Sequence, residues 1–270
     1  MELHGKVAVV TGAASGIGRA LAEVLARRGC SLALADVNAA GLAEAARAVE
    51  GAGRRASTHV VDVADWERML AFADEVVAAH GGVDLVVNNA GVSVTGTLAE
   101  QSIEDLRWIV GVNFWGVVHG CKAFLPHLLE RPEGHLVNVS SVFGLIGLPT
   151  QSSYCATKFA VRGFSEALWA ELADTRIGVT VVHPGGVNTN IVRASRTADP
   201  DAKARMIERF ERSTVAPAVV AEQIARGVER GALRVRVCRE TYAVDWAKRL
   251  FPSGVHRLVR AGYRRFGSLG

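Results

Sequence analysis

Seven short runs rich in β-branched and small apolar residues punctuate the chain, separated by longer amphipathic stretches. The runs are KVAVV (6–10), SLALA (31–35), RASTHVV (55–61), VDLVV (83–87), HLVNVS (135–140), GVTVVH (178–183) and RVRV (234–237). Between them, segments such as GRALAEVLARRG, DWERMLAFADEVVAAHGG and SYCATKFAVRGFSEALWAELA carry a helical period. A strand that is apolar along most of its length needs cover on both faces, and strands that alternate with helices pair in parallel. The pattern predicts an α/β fold: a doubly wound, seven-stranded parallel sheet with helices on both faces. The alternation is unbroken, so residues 1–238 are expected to form one catalytic domain. The one long irregular stretch, 185–217, is expected to serve as a substrate lid, with a short helix near 201–212. Residues 239–270 read as a basic amphipathic extension.

Composition narrows the class. At 270 residues and 49% hydrophobic, the chain can bury a large core. Cys30, Cys121, Cys155 and Cys238 are scattered, without metal-ligand spacing. That suits reduced thiols in the cytoplasm, and no metal site is expected. The N-terminus lacks the basic-then-apolar order of a signal peptide, and no apolar run is long enough to span a membrane. The net charge of +4 is uneven. Residues 239–270 hold seven Arg or Lys against Glu240 and Asp245, a net +5, which leaves −1 for the rest. The body therefore has no charge signature for nucleic acid.

Directly after the first strand comes TGAASGIG, in which Gly12, Gly16 and Gly18 are spaced G-x-x-x-G-x-G where a helix begins. Glycines there allow a tight turn and close approach to a pyrophosphate. The helix N-terminus adds unpaired N–H groups and the positive end of its dipole. Asp36 closes the second strand, 18 residues beyond Gly18. A carboxylate at that point can accept both hydroxyls of a ribose and would repel a 2′-phosphate. Neither Ser15 nor Val37 is basic, so NAD is expected rather than NADP.

With these features the sequence resembles the short-chain dehydrogenase/reductase family, in its compact single-domain branch, over about 3–237. The resemblance rests on several motifs in order: TGAASGIG (11–18), VDV (61–63), NNAG (88–91), Asn113 in VGVNFWG, Ser141 in NVSSVFG, the Y-x-x-x-K pair Tyr154 and Lys158, and HPGGVNT (183–189). It implies a Rossmann-like fold and a cofactor site formed by Gly12, Ser15, Gly16, Ile17, Gly18, Asp36, Asp62, Val63, Asn89, Ala90, Gly91, Tyr154, Lys158, Pro184, Gly185, Val187 and Thr189. Asp62 would meet the adenine, and Val187 and Thr189 the carboxamide and phosphate. Asn113, Ser141, Tyr154 and Lys158 would be catalytic, with Asn113 anchoring a water beside Lys158. The family also implies a homotetramer or homodimer. The glycine spacing and the short remaining chain separate this sequence from the longer epimerase branch.

The chemistry suits these residue types. Oxidising an alcohol removes a proton as a hydride departs. A phenol with an ordinary pKa near 10 costs about 4 kcal/mol to ionise at pH 7. An ammonium 4–5 Å away at an effective dielectric near 20 offers on the order of 4 kcal/mol. Tyr154 is therefore read as the general base, or acid in reduction, Lys158 as its tuner and a ribose ligand, and Ser141 as the group that holds the substrate oxygen. Cys155 is read as packing and His183 as structural.

Substrate contacts are expected from Ser141, Phe143, Leu148, Tyr154, Gly186 and Ile191, with Val94, Val142, Leu145 and Ile146 adding to an apolar lining. That lining favours a hydrophobic secondary alcohol or its ketone. Arg193 and Arg196 read as solvated lid charges, with an anionic substrate as the alternative. A non-catalytic nucleotide-sensing protein and an NADP-dependent carbonyl reductase are the competing functions. For the tail, where aromatic and aliphatic residues recur at helical spacing between basic ones, three roles stay open: packing on a sister subunit, covering the substrate entrance, or peripheral contact with a membrane.

Overall fold

The computed structural model describes residues 1–187, 189, 191–197, 203–204, 207–208 and 215–266. Most of the short helix expected near 201–212 lies outside these residues, as do Asn188 and Asn190. The strands are β1 (Val7–Thr11), β2 (Ser31–Asp36), β3 (Ala56–Val60), β4 (Leu85–Asn88), β5 (Val94–Thr95), β6 (Gly134–Val139), β7 (Ile177–His183), β8 (Arg196–Thr197) and β9 (Arg234–Arg236). The helices are α1 (Gly16–Arg27), α2 (Ala39–Gly51), α3 (Trp66–His80), α4 (Ile103–Val110), α5 (Gly116–Leu129), α6 (Ser152–Glu171), α7 (Pro217–Glu229), α8 (Arg239–Leu250) and α9 (Gly254–Phe266).

Seven strands form one parallel sheet in the order β3-β2-β1-β4-β6-β7-β9, so the expected architecture is present. Alternate residues along each strand serve opposite faces. Val10, Leu32, Leu34, Leu85 and Val87 pack with Leu21 and Leu25 of α1, Leu42 of α2, and Val220 and Ile224 of α7. Val9, Ala33, Val86 and Leu136 turn the other way, towards Phe72 of α3, Phe124 of α5 and Val161 of α6. Helices begin where a side chain accepts a backbone N–H: Asn38 from Gly41, Asp65 from Arg68 and Ser102 from Asp105.

Strand order reverses between β1 and β4, and a crevice opens beyond the carboxyl ends of strands at such a point. β5 and β8, two residues each, form a separate parallel ladder above it that the sequence did not announce.

Candidate active site

The crevice begins with the turn from β1 to α1. Gly12 has φ of +66°, and a Cβ there would come within 2.8 Å of the Ala90 Cα. At Gly18 a Cβ would overlap the Gly12 carbonyl oxygen. Only glycine fits either place. Helix α1 starts with no acidic residue in its first turn, and the Ser15 side chain does not cap it. Its N–H groups therefore face the crevice ready for an anion, which is what a pyrophosphate requires. Thr189 lies against Gly16, so the HPGGVNT loop reaches the same turn. A cleft of about 440 Å³ lined by Gly16, Arg19, Thr189, Arg193 and Pro217 adjoins it.

Asp36 is held in place. Its Oδ2 accepts from Ala14 N at 3.0 Å and its Oδ1 from Asn38 N at 3.0 Å. Its neighbour Val37 is exposed. Asp62 is exposed and accepts from Ala64 N at 2.9 Å, beside the buried Val63. The residues thus match the demands of an adenosine with free ribose hydroxyls.

Behind the turn, Thr11 Oγ1 accepts from both Asn89 N (3.0 Å) and Ala90 N (3.1 Å), and Asn89 Nδ2 donates to Thr11 O at 2.9 Å. These bonds lock the end of β4 to the end of β1. Sequence reasoning passed over Thr11. It also missed a buried polar string in which Asn88 donates to Asn138 Oδ1 (2.9 Å) and Asn138 to Ser165 Oγ (3.0 Å), tying the sheet to α6. The signal was available: paired polar residues interrupt otherwise apolar strands in VVNN and LVNVSS.

Between α4 and α5 the chain makes one π-turn, Gly111–Trp115, with Asn113 fully buried at its centre. Such single π-turns mark functional sites. Asn113 Oδ1 accepts from Val92 N (2.8 Å), while Nδ2 donates to Val92 O (2.9 Å) and Thr157 Oγ1 (3.3 Å). The side chain therefore struts the loop after NNAG. Gly91 is wedged between Asn113 Oδ1 and the amine of Lys158.

Helix α6 presents Tyr154 and Lys158 on one face, with Lys158 Nζ 5.7 Å from the centre of the phenol ring. Lys158 is 3% exposed and donates to Val139 O at 2.9 Å. Ser140 Oγ donates to Lys158 O at 2.7 Å and pins the helix to the end of β6. Ser141, extended at φ −167°, accepts from Phe143 N, and the Phe143 ring meets Tyr154 edge-on at 5.9 Å.

One electrostatic expectation is corrected. Spacing alone suggested that the ammonium brings the phenol towards ionisation. Instead burial pushes Tyr154 up to about 12, against the pull of a side-chain hydrogen bond with Ser141. Burial also lowers Lys158 to about 8. A low-dielectric site penalises each charged form before their attraction is counted.

His183 is fully buried, with Nδ1 3.0 Å from Ser141 O, and burial lowers it to about 4. It braces Ser141, as a structural residue would. Cys155 is buried.

The apolar lining divides in two. Val94, Val142, Leu145 and Ile146 are buried. Phe143, Leu148, Ile191 and Gly186 keep accessible surface and can meet a substrate.

Arg196 is exposed, as expected, but it is also engaged by other residues. Its guanidinium stacks 3.7 Å above the Trp108 ring, its Nη1 lies 3.0 Å from Asp105 Oδ1, and its backbone N donates to Ser93 O at 3.1 Å. The contacts fasten the segment around β8 to α4. Arg196→Ala should speed tryptic cleavage after Arg193 several-fold while costing about 1 kcal/mol or less of global stability. Unchanged cleavage would show that the β5–β8 ladder alone holds this segment.

Comparison with known proteins places this geometry. A family model for short chain dehydrogenase matches residues 6–200. SadH of Mycobacterium tuberculosis is 46% identical over 269 residues, 98% of each chain. A short chain dehydrogenase/reductase from Burkholderia phymatum, solved in complex with NAD, has a TM-score of 0.88 at 32% identity, covering 92% of this chain and 94% of that one. An alcohol dehydrogenase from Thermococcus sibiricus, complexed with 5-hydroxy-NADP, has a TM-score of 0.73 at 31% identity, covering 86% and 94%. With the family model spanning most of the chain and a relative of this identity at full length, the chain is an oxidoreductase that belongs to the short-chain dehydrogenase/reductase family.

Proposed function

We propose that the protein is an NAD-dependent dehydrogenase that interconverts a hydrophobic secondary alcohol and its ketone. The observation that carries this reading is the meeting of buried Ser141 and Lys158 with half-buried Tyr154 at the crevice of the glycine turn. Gly12, Ser15, Gly16, Ile17 and Gly18 would hold the pyrophosphate, Asp36 the adenosine ribose, and Lys158 the second ribose. Asp62, Val63, Asn89, Ala90, Gly91, Pro184, Gly185, Val187 and Thr189 would complete the cradle. When bound, the nicotinamide supplies the hydride acceptor or donor and, in its oxidised form, a positive charge.

The residues of the chain divide the rest of the work. Ser141 Oγ holds the substrate oxygen, and Tyr154 Oη takes its proton in oxidation or returns it in reduction. Lys158 is protonated near neutral pH and favours the phenolate. A water at Asn113 gives that proton a route to solvent. Phe143, Leu148 and Ile191 exclude bulk water and select an apolar substrate. NAD in the Burkholderia relative supports the cofactor reading, and the anchored Asp36 carboxylate supports the preference over NADP. Assembly into a homodimer or homotetramer belongs to the same proposal.

The test is a panel of hydrophobic alcohols and ketones assayed with NAD and NADP side by side. Asp36→Ala should weaken NAD binding at least tenfold, by removing two charge-assisted hydrogen bonds, and should narrow the gap to NADP. A variant that keeps its NAD affinity would remove Asp36 from the cofactor site. Cofactor binding without turnover of any panel member would favour the nucleotide-sensing alternative.

A further inference from the structure

We propose that the helix pair α8–α9 docks the protein peripherally on an anionic phospholipid surface. Tyr242, Trp246 and Leu250 follow one another at four-residue steps along α8 and are exposed, Trp246 at 59%. Phe251 at the hinge continues this apolar surface, and Leu258 of α9 is 75% exposed. Around α9, exposed Leu258 shares one face with half-buried Val255, Val259 and Gly262, whereas Arg257, Arg260 and Arg264 occupy the opposite one. A helix of this kind lies flat at an interface, with apolar side chains in the acyl boundary and arginines reaching the headgroups. Among the described residues no helix is long and apolar enough to cross a membrane, so the contact is superficial.

Charge selects the partner. The two acids of the tail face the body of the protein. Asp245 is 4% exposed and held by Arg236 at 2.9 Å and Arg249 at 3.2 Å, and Glu240 Oε1 accepts from Gly186 N at 3.4 Å. What the outer face of the tail presents is basic and apolar. A second copy meeting this face about a two-fold axis would set arginine against arginine, whereas phosphate headgroups neutralise it. Each basic residue near an anionic bilayer adds on the order of 1 kcal/mol.

The proposal is independent of the hydride-transfer reading, because vesicle binding and turnover of a soluble substrate are separate measurements. The full chain should sediment with sucrose-loaded vesicles containing phosphatidylglycerol, weakly with pure phosphatidylcholine, and less as salt rises. Joint replacement of Arg257, Arg260, Arg264 and Arg265 by Gln should lower the partition coefficient on the order of 10²–10³-fold. Trp246→Ala with Leu258→Ser should also reduce it, and both variants should keep their cofactor affinity. Equal binding to neutral vesicles, or unchanged sedimentation of both variants, overturns the proposal. So does a wild type that ignores vesicles while Trp246→Ala with Leu258→Ser shrinks its assembly in light scattering, which would assign the face to a sister subunit.

Discussion

Tyr154→Phe is expected to lower kcat about 10³-fold while NAD affinity stays within a few-fold. The figure is the usual contribution of a positioned general acid or base. Folding should not suffer: the ring remains, and with it the edge-on contact to Phe143. What disappears is the only proton-carrying atom proposed to face both Ser141 and the substrate. The half-buried phenol also makes a physical prediction for the bare protein. At about 12, its ionisation at pH 7 costs about 7 kcal/mol, and an ammonium 5.7 Å from the ring centre at an effective dielectric near 20 offers about 3. The cofactor-free protein should therefore hold Tyr154 neutral. Ultraviolet titration of wild type against Tyr154→Phe isolates it from Tyr242 and Tyr263, the other two tyrosines. A Tyr154 that ionises below 10 without cofactor would contradict the dominance of burial. Full activity in the Phe variant would remove it from the mechanism.

Acid should destabilise the fold well before its carboxylates titrate. Burial lowers both His135 and His183 to about 4. Their unfolded value is near 6.5, so between pH 6.5 and 4 the unfolded chain binds more protons and stability falls as pH falls. Each residue contributes roughly 3 kcal/mol across that window, together about 6 kcal/mol against a total that is commonly 5–15. The neutral forms are well placed: His135 Nε2 lies 2.8 Å from Thr180 Oγ1, and His183 Nδ1 donates to Ser141 O. Protonating His183 would bury a charged Nε2–H that has no partner among the described residues. Asp105, Asp245, Glu75 and Glu166 are all lowered from their ordinary values, so their losses come at still lower pH. Urea unfolding at a series of pH values should show the decline starting near 6.5, and His183→Gln should remove about half of it. A flat stability between 6.5 and 4.5 would contradict the buried-neutral assignment.

The fold was legible because its strands are apolar on both sides. KVAVV, SLALA, VDLVV and GVTVVH could only be interior strands, and each lies within two residues of its expected place. The β5–β8 ladder was not legible, since two-residue strands have no period to detect. Asn113 was identified from its motif, but its grip on Val92 depends on a π-turn that no local pattern encodes. The Tyr154–Lys158 spacing placed both groups on one face, yet spacing holds no information about desolvation, and desolvation decides their titration. Arg196 is exposed as expected, but its partners, Asp105 and Trp108, were not legible because they are some 90 residues earlier in the chain. Of the expected apolar lining, Val94, Val142, Leu145 and Ile146 are buried, a depth that composition alone does not encode.

The sheet order carries a kinetic consequence. β1 pairs with β4, and the lock between them, Asn89 on Thr11, closes a loop of 78 residues. Distant pairings of this kind are slow to form, because chain entropy is lost before any contact repays it. The glycine turn can fold with its own helix early, but the crevice exists only once β4 arrives alongside. During refolding, competence to capture a dinucleotide should thus trail the recovery of helix signal, and ligand added at the start should trap only molecules that have already completed that long-range closure.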